Sequence, residues 1–437
     1  MLERLRAYFE FETHGTTFRR ETVAGVTTFV TMSYIIVVNP AILSTAGIPV
    51  GPSMVATILT AIFGTLLMGF YARRPFAVAP YMGENAFIAF TVVQLLGYTW
   101  QAALAAMFLA GVLFIVLTVA RVWPWLVNGI PPCLRYSFAV GIGLFLTFIG
   151  LNQTGIVRLG VEGAPARLGD IASAAVLVSL LGFLVIIGLM ILRMRGGILI
   201  GILVTTLVAY LVGVAEAPQG WVSLPPSLAP ILWKLDFSAL WSVGFLAVVL
   251  TIFILAFVDT MGTLIGVSVR AGLLDAQGRL PQIERPILAD ALATTFAAAV
   301  GTTTSGAYIE SATGIEAGGR TGFTAVVTGL LFFLALFFAP FVTAVPAQAY
   351  GPALMVVGVL MVEPITRINF KDFTELVPAF ATIALMSFTF NIAVGMTVGF
   401  LLYPFCKLVA RRGRDIPSGL WVLSALSLLF YIFYPYH

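Results

Sequence analysis

The sequence predicts an all-α polytopic membrane protein built as two inverted repeats, and three observations carry that prediction. The 437 residues are 60% hydrophobic and only 10% charged, with mean hydropathy +1.04, whereas soluble domains are about 25% charged. Apolar runs of about 17 to 25 residues recur from end to end, each long enough to cross about 30 Å of hydrocarbon. Basic residues collect after every second run. The runs do not alternate in polarity, as the segments of a β-barrel would.

Residues 1–21 mix Arg4, Arg6, Arg19 and Arg20 with Glu3, Glu10, Glu12 and Glu21 and read as a cytoplasmic amphipathic segment without a cleavable signal. Spans are expected at 22–46, 52–72, 76–96, 99–120, 134–151, 171–192 and 197–214, within a first repeat over 22–215. Pro218, Pro225, Pro226 and Pro230 mark a linker at 216–238. Spans at 239–266, 286–300, 303–321, 322–343, 350–364, 375–390 and 392–410 make a second repeat over 239–411. Residues 412–437 carry one more apolar segment, which spans, re-enters or lies in the interface.

Arg73 and Arg74 follow span two, Arg193 and Arg195 span six, and Arg270, Arg279 and Arg285 span eight. Arg320, the pair Arg367 and Lys371, and the set Arg411, Arg412 and Arg414 follow spans ten, twelve and fourteen. Loops rich in Lys and Arg stay inside, so these exits and the N-terminus are assigned to the cytoplasmic side of an inner (plasma) membrane. Seven spans per half is an odd number, so the second half enters from the opposite side. The net charge of +4 sits in short loops and implies no nucleic-acid partner. Cys133 and Cys406 read as buried thiols.

The stretch Gly301 to Gly322, GTTTSGAYIESATGIEAGGRTG, is rich in hydroxyls and glycines yet lies between apolar runs. Irregular polar backbone at membrane depth is tolerated where it lines a cavity. Span three holds a comparable interruption, AVAPYMGENAFIAF. Broken helices at matching places in two halves point to a transport site near the midplane.

Several residues there fit substrate or proton chemistry. Asp259 lies inside span eight beside Thr260, Gly262 and Thr263; a carboxylate at that depth costs about 2.5–3.5 kcal/mol and normally faces a cavity or a partner. Gly262 and Gly266 have the spacing of a close helix-packing seam. Glu84 and Glu310 stand near the starts of half-helices, as caps or as ligand groups. Asn85 offers a donor and an acceptor, as reading a heterocycle edge requires. Backbone N–H groups from Ser305 to Glu310 are expected to donate to ring acceptors, and Tyr81, Phe87 and Tyr308 to stack on a flat ring. Asp290 in span nine either relays protons or braces Asp259. Both histidines, His14 and His437, are terminal, so a transported proton rides on a carboxylate: Glu310, Asp259, Glu84 or Asp290. No cofactor and no metal are expected, and the lysine-bearing phosphate loop of an ATP-driven pump does not occur.

AVAPYMGENAFIAF, FVDTMGTLIGV, AGLLDAQG and GTTTSGAYIESATGIEAGGRTGFTAV resemble the AzgA-like purine permeases of the nucleobase:cation symporter-2 superfamily over nearly the whole chain. The resemblance implies fourteen spans in two inverted repeats, core and gate domains, and short antiparallel strands in spans three and ten. It implies proton-coupled uptake of adenine, guanine or hypoxanthine, with a homodimer as the expected assembly in the bilayer. Asn85, Asp259 and Glu310 match the family's substrate-site positions. Two positions depart from the family pattern. The resemblance implies that several relatives carry an acid where Ala256 stands and tend to have an apolar residue where Glu84 stands, which suggests that Glu84 replaces the missing carboxylate. The alternatives are an anion transporter of the same fold, for sulfate or bicarbonate, and an intramembrane enzyme with paired acids.

Overall fold

The computed structural model describes all residues except 1, 122–128, 162–163, 219, 221, 241, 272, 274–279, 390 and 434–437. The AGLLDAQG loop falls almost wholly outside the described residues, as does Arg279.

Each expected span is occupied by helix, or by strand followed by helix. Among the described residues, nine helical segments are long and apolar enough to cross a membrane, and Gly197–Leu211, Phe373–Phe388 and Ser418–Leu428 are shorter apolar helices. Those nine do not by themselves give a count of fourteen crossings.

Span one is broken. Phe18–Met32 and Ile35–Ser44 are separate helices meeting at Ser33 and Tyr34. Pro40 lies inside the second helix and, having no N–H, cannot donate to the carbonyl four residues before it. Span two runs Val50–Leu67 into a π-helical turn, Met68–Ala72. Span three opens with β1 (Val78–Pro80), continues as the short helix Met82–Ala86 and ends as a π-helical stretch, Phe87–Leu95.

The loop after the helix Pro132–Gln153 forms a hairpin of β2 (Val157–Val161) and β3 (Ala164–Leu168) that the sequence did not announce. Span ten consists of β4 (Ser305–Ala307) and the helix Ser311–Glu316. Gly301, at φ +94, ends the preceding helix, and a Cβ there would lie 2.8 Å from Ile231 of the linker.

The helices sort into two packed groups, the core and gate of the expected fold. Spans one to four pack with eight, nine and eleven, and this group carries β1 and β4. The helices of spans five to seven pack with those of twelve to fourteen. The final helix, Ser418–Phe433, lies against Ile392–Val409 of the second group and touches Val243–Ala271 of the first.

Candidate functional site

β1 and β4 pair antiparallel, with Val78 opposite Ala307, Ala79 opposite Gly306 and Pro80 opposite Ser305. The ladder extends one residue each way. Tyr81 N donates to Thr304 O at 3.0 Å, and Tyr308 N donates to Ala77 O at 2.8 Å. These two bonds exchange under a local two-fold rotation through the Ala79–Gly306 pair.

The surroundings follow the same symmetry. Thr65 receives Val78 N at 2.9 Å and donates to Val78 O at 3.0 Å. Thr294 receives Ser305 N at 3.2 Å and donates to Ser305 O at 2.8 Å. Each threonine thus satisfies the first residue of its strand, where no water reaches and an unmade bond is costly. Under the rotation Tyr81 corresponds to Tyr308, and their rings lie near parallel at 9°, with centroids 6.3 Å apart.

The strands gather the predicted acids. Glu84, 1% exposed, accepts from Thr304 Oγ1 across the two halves, and its Oε1 has no partner among the described residues. Asp259 and Asp290 are within electrostatic reach of it. Asp290 Oδ2 accepts from Ala307 N at 3.0 Å, and Thr260 hydrogen-bonds to the same carboxyl. That position braces β4. Thr260 also meets the Tyr81 hydroxyl at 3.1 Å. Gly306 has no room for a side chain, since a Cβ would sit 2.2 Å from the Tyr81 hydroxyl and 2.8 Å from Asp290 Oδ2.

Asp259 and Glu310 are only partly buried, as is Thr263. Ile309 between the strand and the half-helix is 60% exposed. Gly262 faces open space, for a Cβ there would meet nothing within 4 Å. The helix-packing role expected for the Gly262–Gly266 spacing is therefore not what Gly262 serves: it lies on the open side of its helix, near Asp259. Glu310 is the cap residue of Ser311–Glu316, and Tyr34 donates its hydroxyl hydrogen to Glu310 Oε1 at 2.6 Å.

Other expectations change. The N–H donors expected from Ser305 onward are largely engaged: Ser305 N with Thr294, Ala307 N with Asp290 and Tyr308 N with Ala77. The Thr294 and Asp290 side chains take the first two and strand pairing takes the third. The Tyr308 hydroxyl donates to Pro80 O, so this ring is tied into the strand junction, and Phe87 is fully buried. Ser305 keeps a buried hydroxyl with no partner. A separate apolar cavity of about 200 Å³, lined by Leu250, Thr251, Ile254, Met396 and Phe400 among others, touches none of the acids.

Three contributors were not anticipated, all on the broken first span or its neighbour. Tyr34 holds Glu310, Asn39 receives Asn85 Nδ2 at 2.8 Å, and Thr57 receives Asn39 Nδ2 at 2.7 Å. An asparagine directly before a proline inside an apolar run was the available signal.

Comparisons with known proteins identify relatives and a shared fold. The adenine permease AdeP of Escherichia coli is 39% identical over 100% of this chain and 97% of its own. The guanine/hypoxanthine permease PbuG of Bacillus subtilis is 38% identical over 98% of this chain and 100% of its own. Among solved structures, the transmembrane domain of the cyanobacterial bicarbonate transporter BicA superposes with a TM-score of 0.66 at 13% identity, covering 87% of this chain and 98% of that one. That likeness is one of fold. Residues 19–400 match the family model described as the permease family, and the chain belongs to that family as an integral, multi-pass membrane protein.

Proposed function

We propose that this permease is a secondary active transporter that takes up purine nucleobases (adenine, guanine or hypoxanthine) together with protons, by alternating access. The observation that carries the reading is the convergence of Glu84, Asn85, Asp259, Asp290 and Glu310 on one strand-paired junction built by both halves of the chain. Relatives at 38–39% identity are named as adenine and guanine/hypoxanthine permeases.

In this mechanism the base approaches the open side of the junction, where Asp259 and Glu310 accept its N–H groups. Glu310, oriented by Tyr34, takes the coupled proton. Glu84 and Asp290 are buried behind them. The core group then moves against the gate group of spans five to seven and twelve to fourteen. The transporter resides in the inner (plasma) membrane with its N-terminus cytoplasmic, and assembles as a homodimer.

Acids at the site disfavour an anion such as sulfate or bicarbonate. Uptake of labelled adenine, guanine, hypoxanthine, xanthine and uracil into proteoliposomes, with sulfate and bicarbonate as competitors, tests the proposal. Saturable purine uptake indifferent to the anions is expected. Uptake of sulfate without purines would overturn it.

A further inference from the structure

We propose that Asn39 is a specificity-determining positioning residue: a hydrogen-bond relay anchored on a backbone carbonyl fixes Asn85 with its amide oxygen toward the ligand, so that the site selects bases presenting an N–H there. This rests on the purine reading above and concerns which edge of the base is read.

The direction of each bond follows from the one before. Thr57 Oγ1 donates to Ser53 O at 2.7 Å, a bond to the carbonyl four residues back. A backbone carbonyl only accepts, so the hydroxyl hydrogen of Thr57 is committed and its oxygen faces Asn39 as an acceptor. Asn39 therefore turns its Nδ2 toward Thr57, at 2.7 Å, and the same Nδ2 donates to Thr302 Oγ1 at 2.9 Å. Its Oδ1 is left to face Asn85, whose Nδ2 donates to it at 2.8 Å, and Thr303 Oγ1 approaches the same oxygen at 3.5 Å. Asn85 Nδ2 also lies 3.6 Å from the Met82 sulfur.

Asn85 Oδ1 remains, buried and without a partner among the described residues. Asn39, Thr57 and Asn85 are each 0% exposed, so no solvent relaxes the order. Reversing either amide sets oxygen against oxygen. An amide that in isolation offers both a donor and an acceptor is reduced here to an acceptor. Among the described residues, Glu84 Oε1 and Asp290 Oδ1 are also buried without partners and have the same polarity when ionised, whereas the unpartnered Ser305 hydroxyl can donate as well.

Thr57 is hydrogen-bonded to Asn39 and to Ser53 O, which makes it the cleanest place to break the relay. The test uses full-length protein in proteoliposomes and measures inhibition of labelled adenine, guanine or hypoxanthine uptake by purines that differ from one another in a single N–H group. A site built to hydrogen-bond a ligand group rejects the analogue lacking it. In the wild type, loss of the N–H that faces Asn85 weakens inhibition by about tenfold or more, within the range for one unmade buried bond. Thr57→Val frees Asn39 to turn, and Asn39→Leu removes the partner of Asn85. In both, that penalty shrinks by at least about threefold, while Thr57→Ser, which keeps the hydroxyl, preserves it.

Wild-type discrimination in Thr57→Val, or a wild type indifferent to every single N–H deletion, would overturn the relay while leaving purine transport standing. A wild type that takes up no purine base overturns the functional reading and the relay together.

Discussion

The hydroxyl of Tyr34 donates to Glu310 Oε1 at 2.6 Å, joining the break in span one to the start of the span-ten half-helix across 276 residues of sequence. Hydrogen bonds to charged groups contribute about 1.5–3 kcal/mol. Tyr34→Phe, which keeps the ring, is therefore expected to lower purine uptake by roughly 10- to 100-fold at normal protein levels. Glu310→Gln abolishes uptake outright. Near wild-type transport in Glu310→Gln would remove that residue from the coupling role.

Thr65 and Thr294 bracket the first residues of the two paired strands in the same way. Valine at either position leaves two buried backbone groups without their side-chain partner, and each variant is expected to lose about 1–3 kcal/mol of stability. Thermal unfolding in detergent checks this. The two substitutions should cost similar amounts, because the local two-fold makes the positions equivalent. A large loss at one and none at the other would show that the halves do not share the load.

Much of this site was legible in the sequence, and the reason is electrostatic. Asp259, Asp290, Glu84 and Glu310 stand out because a carboxylate among apolar residues needs a reason to be there, and a run such as GTTTSGAYIESATGI cannot continue a lipid-facing helix. The strand pairing followed from the family resemblance, and the pairing of Ala79 with Gly306 fits it. What was not legible was the support. Tyr34, Asn39, Thr57, Thr65 and Thr294 are single polar groups in apolar spans, and Ser and Thr in a membrane helix commonly bond their own backbone. Only the fold shows that Thr65 reaches Val78 and that Asn39 reaches Asn85. The β2–β3 hairpin was missed because VRLGV and APARL are too short to show a period.

The family resemblance implies an acid at the position of Ala256 and an apolar residue at that of Glu84, so that Glu84 would supply the missing carboxylate. The structure places Glu84 at the centre of the junction, bonded to Thr304 and within reach of Asp259 and Asp290. Glu84→Leu is expected to reduce uptake strongly and Ala256→Asp to reduce it mildly by adding charge. Combined, they should recover part of the loss if one carboxylate stands in for the other. Additive losses in the double variant would count against the exchange.

At the Arg412 end of the gate group, Asp372 caps the helix Phe373–Phe388. It accepts from Thr374 Oγ1 at 2.6 Å and from Arg412 Nη1 at 2.7 Å, with the buried Lys407 ammonium at 3.5 Å. The Thr374 hydroxyl, then Arg412, hold its carboxyl well below the usual carboxylate range. A lowered folded-state value means the stabilisation is present above the unfolded value of about 3.9 and is lost as pH falls through the folded value. Stability should therefore not depend on this group between pH 5 and 8, roughly, and should decline below about pH 4. Asp372→Asn lowers the melting temperature at neutral pH and flattens the acid limb. An unchanged melting temperature at pH 7 would show that the cluster contributes nothing.

The most direct measurement is accumulation of labelled adenine, guanine or hypoxanthine in proteoliposomes under an imposed inward proton gradient, with internal pH recorded, for the wild type and Glu310→Gln. Proton symport predicts uphill accumulation and internal acidification that stop together when the gradient is collapsed, and neither signal in the variant. Accumulation that is indifferent to the gradient, or retained in Glu310→Gln, would contradict a proton carried on that carboxylate.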